Sequence, residues 1–136
     1  MIKKSDREIL IQYRLDQATQ TIAEVSKLIE IDLLNVAVNR IYYGTFYCLT
    51  ALALRFEFSS SKHAQLIGWF NPTFIKTQQI EVKYGKIIRN ASKNRSDGDY
   101  APFTSFAKED VLDMQKDMID FIERIHSYLS SLPEQD

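Results

Sequence analysis

The sequence predicts an all-α protein, folded as an up-and-down antiparallel bundle of four to five helices. Three observations carry that expectation. Apolar residues recur at steps of three and four through most of the chain, no segment sustains the two-residue alternation of a half-buried strand, and the first two periodic stretches are joined too closely to lie anything but antiparallel. At 136 residues the chain is expected to form one domain over 1–136, with a real hydrophobic core.

Ser5 followed three residues later by Glu8 reads as a capping box. It would open a first helix whose stripe is Ile11, Leu15, Ala18, Ile22, Val25 and Ile29. Asp32 is placed to cap a second helix from residue 33 to about 57. That second helix should be central, because Val36, Ile41, Tyr43, Phe46, Leu49, Leu52 and Leu54 spread over more than one of its faces. Ser59, Ser60 and Ser61 break the pattern and supply caps for a shorter helix from Lys62 to about Phe70, which Asn71-Pro72 is expected to end. After an ambiguous stretch at 73–79, a fourth helix is expected from about Ile80 to Asn94. Val82, Ile87, Ile88 and Ala91 form its weak apolar side, and Lys83, Lys86, Arg89 and Lys93 its basic face. Residues 95–102 read as a turn-rich loop punctuated by Gly98 and Pro102. A last helix runs from about Phe106 to Ser130, with Glu109 and Asp110 at its positive end and Pro133 beyond its end.

Composition narrows the class. An apolar share of 45% and a charged share of 26% are those of an ordinary globular protein, which argues against disorder. No apolar run approaches the roughly 20 residues that cross a bilayer, and the first residues lack the apolar core of a signal peptide, so a cytoplasmic protein without membrane attachment is expected. The lone Cys48 reads as a small core residue. The net charge of −1 hides an uneven distribution: +1 over residues 1–75, +5 over 76–96 and −7 over 97–136. The basic segment either pairs with the acidic last helix or offers a surface to phosphate.

Few constellations carry chemistry. His63 and His126 stand far apart, with no metal-ligand spacing, and the four glycines are isolated, so neither a metal nor a phosphate-cradling loop is expected, and no cofactor. Arg40, inside the central apolar helix, must find partners or snorkel to water, because an unpaired buried charge costs several kcal/mol. Arg95, Asp99 and Tyr100 place a guanidinium, a carboxylate and a phenol within one short stretch, and arginine grips phosphate as a bidentate fork.

Taken in order, Asn39-Arg40-x-Tyr42-Tyr43-Gly44-x-Phe46, Ser61-Lys62-His63, Phe70, Arg95-x-x-x-Asp99-Tyr100, Glu109-Asp110-Val111 and Phe121-Ile122 resemble the HEPN superfamily. The branch in question is the small stand-alone prokaryotic proteins with an Arg-x-Tyr-Tyr helix and an Arg…Asp-Tyr loop. The resemblance covers nearly the whole chain. It implies a helical bundle that forms a homodimer and a protein that binds RNA or nucleotide phosphates as one component of a toxin–antitoxin or defence pair with a small nucleotidyltransferase antitoxin. Many relatives are ribonucleases with an arginine, four to six intervening residues and then a histidine. Here Tyr100 stands where that histidine would follow Arg95. Tyrosine, with a pKa of about 10, does not supply the base that attack by a 2′-hydroxyl needs. The expected site is therefore Arg95, Asp99 and Tyr100, with His63 as a substitute imidazole if the third helix faces the cleft. Arg40, Tyr43, Lys86, Arg89 and Lys93 are expected to hold the phosphate. Tyr100 is also the residue a partner nucleotidyltransferase would modify, by resemblance to relatives with a tyrosine beside the motif. An active metal-independent ribonuclease with a divergent site is one alternative. A non-catalytic helical interaction protein, in which Arg40, Arg95 and Asp99 only satisfy one another, is the other.

Overall fold

The computed structural model describes residues 2–101 and 103–134. Among them the chain forms α1 (Lys4–Glu30), α2 (Leu34–Arg55), α3 (His63–Phe70), α4 (Val82–Tyr100) and α5 (Lys108–Ser131), with a π-helical turn at Asn71–Ile75 directly after α3 and no β-strand. This is the all-α bundle the periodicity predicts. No helix among the described residues is long and apolar enough to cross a membrane.

Helix α2 is the hub. It packs along α1 and also against α4 and α5. Ala37, Val38, Ile41, Tyr42, Phe46, Leu49 and Leu52 are all buried along it, so its apolar residues occupy most of the helical circumference. Val36 departs from expectation and stands 46% exposed, because its flank of α2 is left uncovered by the neighbouring helices. On α1 the stripe is closed by Thr21, whose buried hydroxyl is turned back onto the Ala18 carbonyl of its own helix. A second aromatic layer joins the short elements to the bundle: Phe70, Phe74 and Phe121 are fully buried, with Phe70 5.8 Å from each of the other two.

Several helix ends differ from the sequence reading. Helix α1 starts two residues early, so Ser5 lies in its first turn, and no side-chain cap is formed at its start among the described residues. Asp32 does not open α2; it closes α1. With φ of 60° it adopts the left-handed conformation, its N–H bonding Ile29 and that of Leu33 bonding Leu28, the paired arrangement that satisfies the last carbonyls of a helix. Lys108 pairs with its carboxylate at 3.4 Å. Glu57, at φ 57°, ends α2 in the same way.

Helix α3 ends at Phe70, where Asn71-Pro72 is expected to end it, but the chain winds on directly as a π-helical turn. Proline sits in the first turn of the π-helical segment, where its missing N–H costs nothing, and the wider turn delivers Phe74 and Ile75 to the core. The largest correction concerns residues 95–100, which continue α4 as helix. Pairs one turn apart, Lys93 with Asp97 at 3.1 Å and Arg95 with Asp99 at 3.0 Å, line that last stretch. Gly98 lets the Phe106 ring lie against it, since a Cβ there would stand 3.1 Å from the ring. Pro102 lies outside the described residues.

Candidate functional site

Three helices deliver one cluster of polar and aromatic side chains. From α2 come Asn39, Tyr42, Tyr43 and Phe46, which the helical period sets on one flank. From α4 come Arg95, Asp99 and Tyr100. His63, the first residue of α3, closes the group.

Arg95 is its centre. The guanidinium carbon lies 5.4 Å from the Tyr42 ring centroid, 5.7 Å from that of Tyr43 and 5.6 Å from that of Tyr100. Three ring faces thus hold one cation. Asp99 Oδ2 approaches Arg95 Nε to 3.0 Å, and Asn39 donates to the same oxygen at 3.0 Å. The distance to Nε is that of an ion pair, but the buried N–H is not aimed at the carboxylate and finds no hydrogen-bond acceptor. One long bond, 3.4 Å to the Tyr43 hydroxyl, is the hydrogen bond the guanidinium donates. A guanidinium carries five N–H donors, so most of its donor capacity is unspent.

Arg40 joins this group through Tyr43. Its guanidinium carbon is 5.5 Å from the Tyr43 ring, and it is tethered to Glu24 of α1 at 3.6 Å. Two arginines from different helices therefore flank one ring. The lysines do not join them. At about 100° per residue, Lys86, Arg89 and Lys93 project roughly 120–180° around α4 from Arg95. Lys93 pairs with Asp97 and lines a separate cleft of about 400 Å³ between α2, α4 and α5. Asp110, Asp113 and Asp117 line that cleft and would repel a phosphate. Burial, then the neighbouring Asp120 and Asp113, raises the Asp117 carboxyl above its ordinary value. Among the described residues no three His, Cys, Asp or Glu side chains gather as metal ligands.

His63 lies inside the Arg95 cluster. Its ring stacks on Phe46 at 3.9 Å and meets the edge of Tyr43 at 6.0 Å, while its Nδ1 is 2.8 Å from the Tyr42 hydroxyl. Tyr42 is 1% exposed, and burial, opposed by Arg95, pushes its phenol up to about 12, so the hydroxyl keeps its proton. His63 is the hydroxyl's hydrogen-bond partner in the chain. A buried O–H needs an acceptor, so the phenol donates to Nδ1 and the remaining proton of neutral imidazole sits on Nε2. Desolvation, then the Arg95 charge, lowers the His63 pKa below its usual 6.5.

A stability consequence follows from that shift. Below pH 6.5 the unfolded chain takes up a proton at His63 that the folded chain resists, so stability falls as pH drops from 6.5 toward the folded-state value. Melting temperatures at pH 7.5 and 5.5 should therefore differ more for the wild type than for His63→Gln, and equal differences would discount this contribution.

Asn39 and Tyr42 are the members that motif reasoning left out of the site. The signal was present, since both stand in the same Asn-Arg-x-Tyr-Tyr run as Arg40 and Tyr43.

Comparison with known proteins identifies the family of the chain. The pattern of the HEPN domain matches residues 11–128. A Thermotoga maritima protein named "UPF0332 protein" is 31% identical over 94% of this chain and 97% of its own length. Two Methanocaldococcus jannaschii proteins named as candidate toxins are similar at 29% identity over 86% of this chain and 80% of their counterpart, and at 33% over 74% of each. With most of its length matched and its helices in place, the chain belongs to the HEPN family.

Proposed function

We propose that this protein binds the phosphates of RNA or of nucleotides through Arg95 and Arg40. It acts as a homodimer and as one component of a toxin–antitoxin or defence pair with a small nucleotidyltransferase. The observation that carries the reading is the state of Arg95: a cation fixed by three rings and a carboxylate, with most of its N–H donors unused. Such a group is pre-organised for an anion and loses little side-chain freedom on taking one. Membership of a family whose relatives include candidate toxins supports the paired role. Support for self-association comes from the exposed apolar residues Ile31, Leu33, Val36 and Phe103. The lysines of α4 add long-range attraction for RNA from outside the grip.

The test is the salt dependence of RNA affinity. Two to three phosphate contacts on a single strand predict a slope near −2 in log K against log salt, so affinity should fall more than tenfold between 50 and 200 mM. Purified protein that binds no RNA at low salt removes the reading.

The position of His63 favours one second reading, a metal-independent ribonuclease. An imidazole beside an arginine is the pair such chemistry uses, although the Nε2–H tautomer presents a donor and not a base. Wild type and Arg95→Ala, incubated with RNA in the presence of a chelator, separate the cases: equal background cleavage ends the ribonuclease reading.

A further inference from the structure

We infer that His63 is the second grip of the anion site, with Tyr42 holding the imidazole in the tautomer whose Nε2–H binds an oxygen of the same phosphodiester that Arg95 holds. The inference rests on the phosphate-binding reading above and adds to it a residue, a protonation state and a ligand class.

The argument is one of hydrogen-bond accounting. Tyr42 is fully enclosed, and its hydroxyl meets one polar atom, His63 Nδ1 at 2.8 Å. Were Nδ1 the donor, the phenolic hydrogen would be buried with nothing to receive it, which folding disfavours. The phenol therefore donates, which fixes the proton of neutral imidazole on Nε2. Among the described residues that nitrogen has no hydrogen-bond partner, and it is not among the atoms sealed from solvent without one. Stacking on Phe46 and the edge contact with Tyr43 set the ring plane, so the Nε2–H direction is fixed before any ligand arrives.

Arg95 and His63 both meet the Tyr42 and Tyr43 rings, and the Arg95 charge acts on the imidazole, so the two donors belong to one cluster. The charged and titratable groups facing His63 are Tyr42 and Tyr43 from α2 and Arg95 from α4, the last balanced by Asp99; Lys62 precedes it in the chain. A cation nearby disfavours imidazolium, so the donor is neutral. A guanidinium partly offset by its carboxylate, with one neutral donor beside it, suits a phosphodiester, which carries a single negative charge throughout the working range. A phosphomonoester, which approaches two charges above its second pKa of about 6, is matched less well.

The probe is a short 2′-O-methyl oligouridylate with free 5′ and 3′ hydroxyls. It resists cleavage through the 2′ position, and its phosphates do not titrate near neutrality. Affinity is measured for the wild type, Arg95→Ala, His63→Gln and His63→Asn, each checked for retained helicity. A glutamine amide nitrogen reaches the place of Nε2, whereas an asparagine amide reaches only that of Nδ1. We expect His63→Gln to stay within about threefold of wild type and His63→Asn to lose about tenfold. Equal affinities for both variants and the wild type, with Arg95→Ala still defective, overturn the role of His63 and leave the anion site standing. Absence of binding by the wild type overturns the site itself.

A second readout needs no variant to fold. In ¹⁵N spectra of the wild type, His63 should show an unprotonated Nδ1 and a protonated Nε2 whose signal moves on adding the oligonucleotide, and Tyr42→Phe should mix the tautomers. A protonated Nδ1 in the free protein, or an Nε2 signal unmoved by saturating probe, refutes the inference.

Discussion

Gly44→Ala is expected to destabilise the protein by about 2 kcal/mol, lowering the melting temperature by roughly 8 °C, although alanine is the better helix former. Gly44 lies on α2 where α1 and α5 both press against it. A Cβ there would fall inside van der Waals contact of Thr21 Oγ1, 3.2 Å from Thr21 Cβ and 2.9 Å from Met118 Sδ. Thr21 has little room to yield, being 1% exposed with its hydroxyl bonded to Ala18. Intrinsic propensity favours alanine by about 1 kcal/mol, so the overpacking cost must exceed that for the sign to hold. Gly68 provides the contrast. A Cβ on it meets nothing within 4 Å, so Gly68→Ala should stabilise by about 0.5–1 kcal/mol. Adding Thr21→Ala to Gly44→Ala should recover at least half of the loss, because removing the hydroxyl reopens the contact. A Gly44→Ala protein that melts at or above the wild-type temperature would show that the helices can part there without cost.

These glycines also explain which parts of the fold were readable in the sequence. Helical periodicity located every long helix, because burial of α2 and the stripes of α1 and α5 is written in apolar spacing. Helix ends were harder, since glycine usually marks them and here does not. Gly44, Gly68, Gly85 and Gly98 all lie inside helices, where three of them admit a neighbouring side chain, while Asp32 and Glu57 take the left-handed conformations that end helices. Gly98, read as punctuation, is a packing residue for Phe106, and that single misreading turned the end of α4 into a loop. As a helix it sets Arg95 and Asp99 one turn apart and aims both at α2.

The site was legible in its residue types more than in its geometry. A motif with Arg95, Asp99 and Tyr100 in it can be found by eye. That the Arg40 and Arg95 guanidinium groups flank the Tyr43 ring depends on how α2 and α4 cross, which no spacing records. The entry of His63 is likewise tertiary: it depends on how the segment after α2 folds back to lay the first turn of α3 on Phe46. The α4 lysines show the converse. Their spacing marked a real basic face, but the direction of that face relative to Arg95 was set by the helix running six residues further than expected.

Arg95→Ala should weaken binding of single-stranded RNA by ten- to a hundredfold and reduce the salt slope by about one. A charge-assisted hydrogen bond contributes about 1.5–3 kcal/mol, and the fork makes at least one such contact. Stability should drop less, by about 1 kcal/mol, because the cation's ring contacts and its pairing with Asp99 are partly exposed to solvent, with Arg95 24% accessible. The two effects separate the readings of this chain. If Arg95 served only to satisfy Asp99 and the three rings, its loss would lower the melting temperature and leave affinity for RNA unchanged. Arg95→Lys sharpens the distinction. It retains the charge but neither the planar stack between tyrosines nor the fork, so it should recover no more than about a third of the lost binding free energy. The α4 stripe supplies the opposing control, since Lys86→Ala and Arg89→Ala remove charges that stand on the far side of the helix. Loss of affinity in those two, with Arg95→Ala binding as well as wild type, would move the anion-binding surface from the tyrosine-lined cluster to the outside of α4.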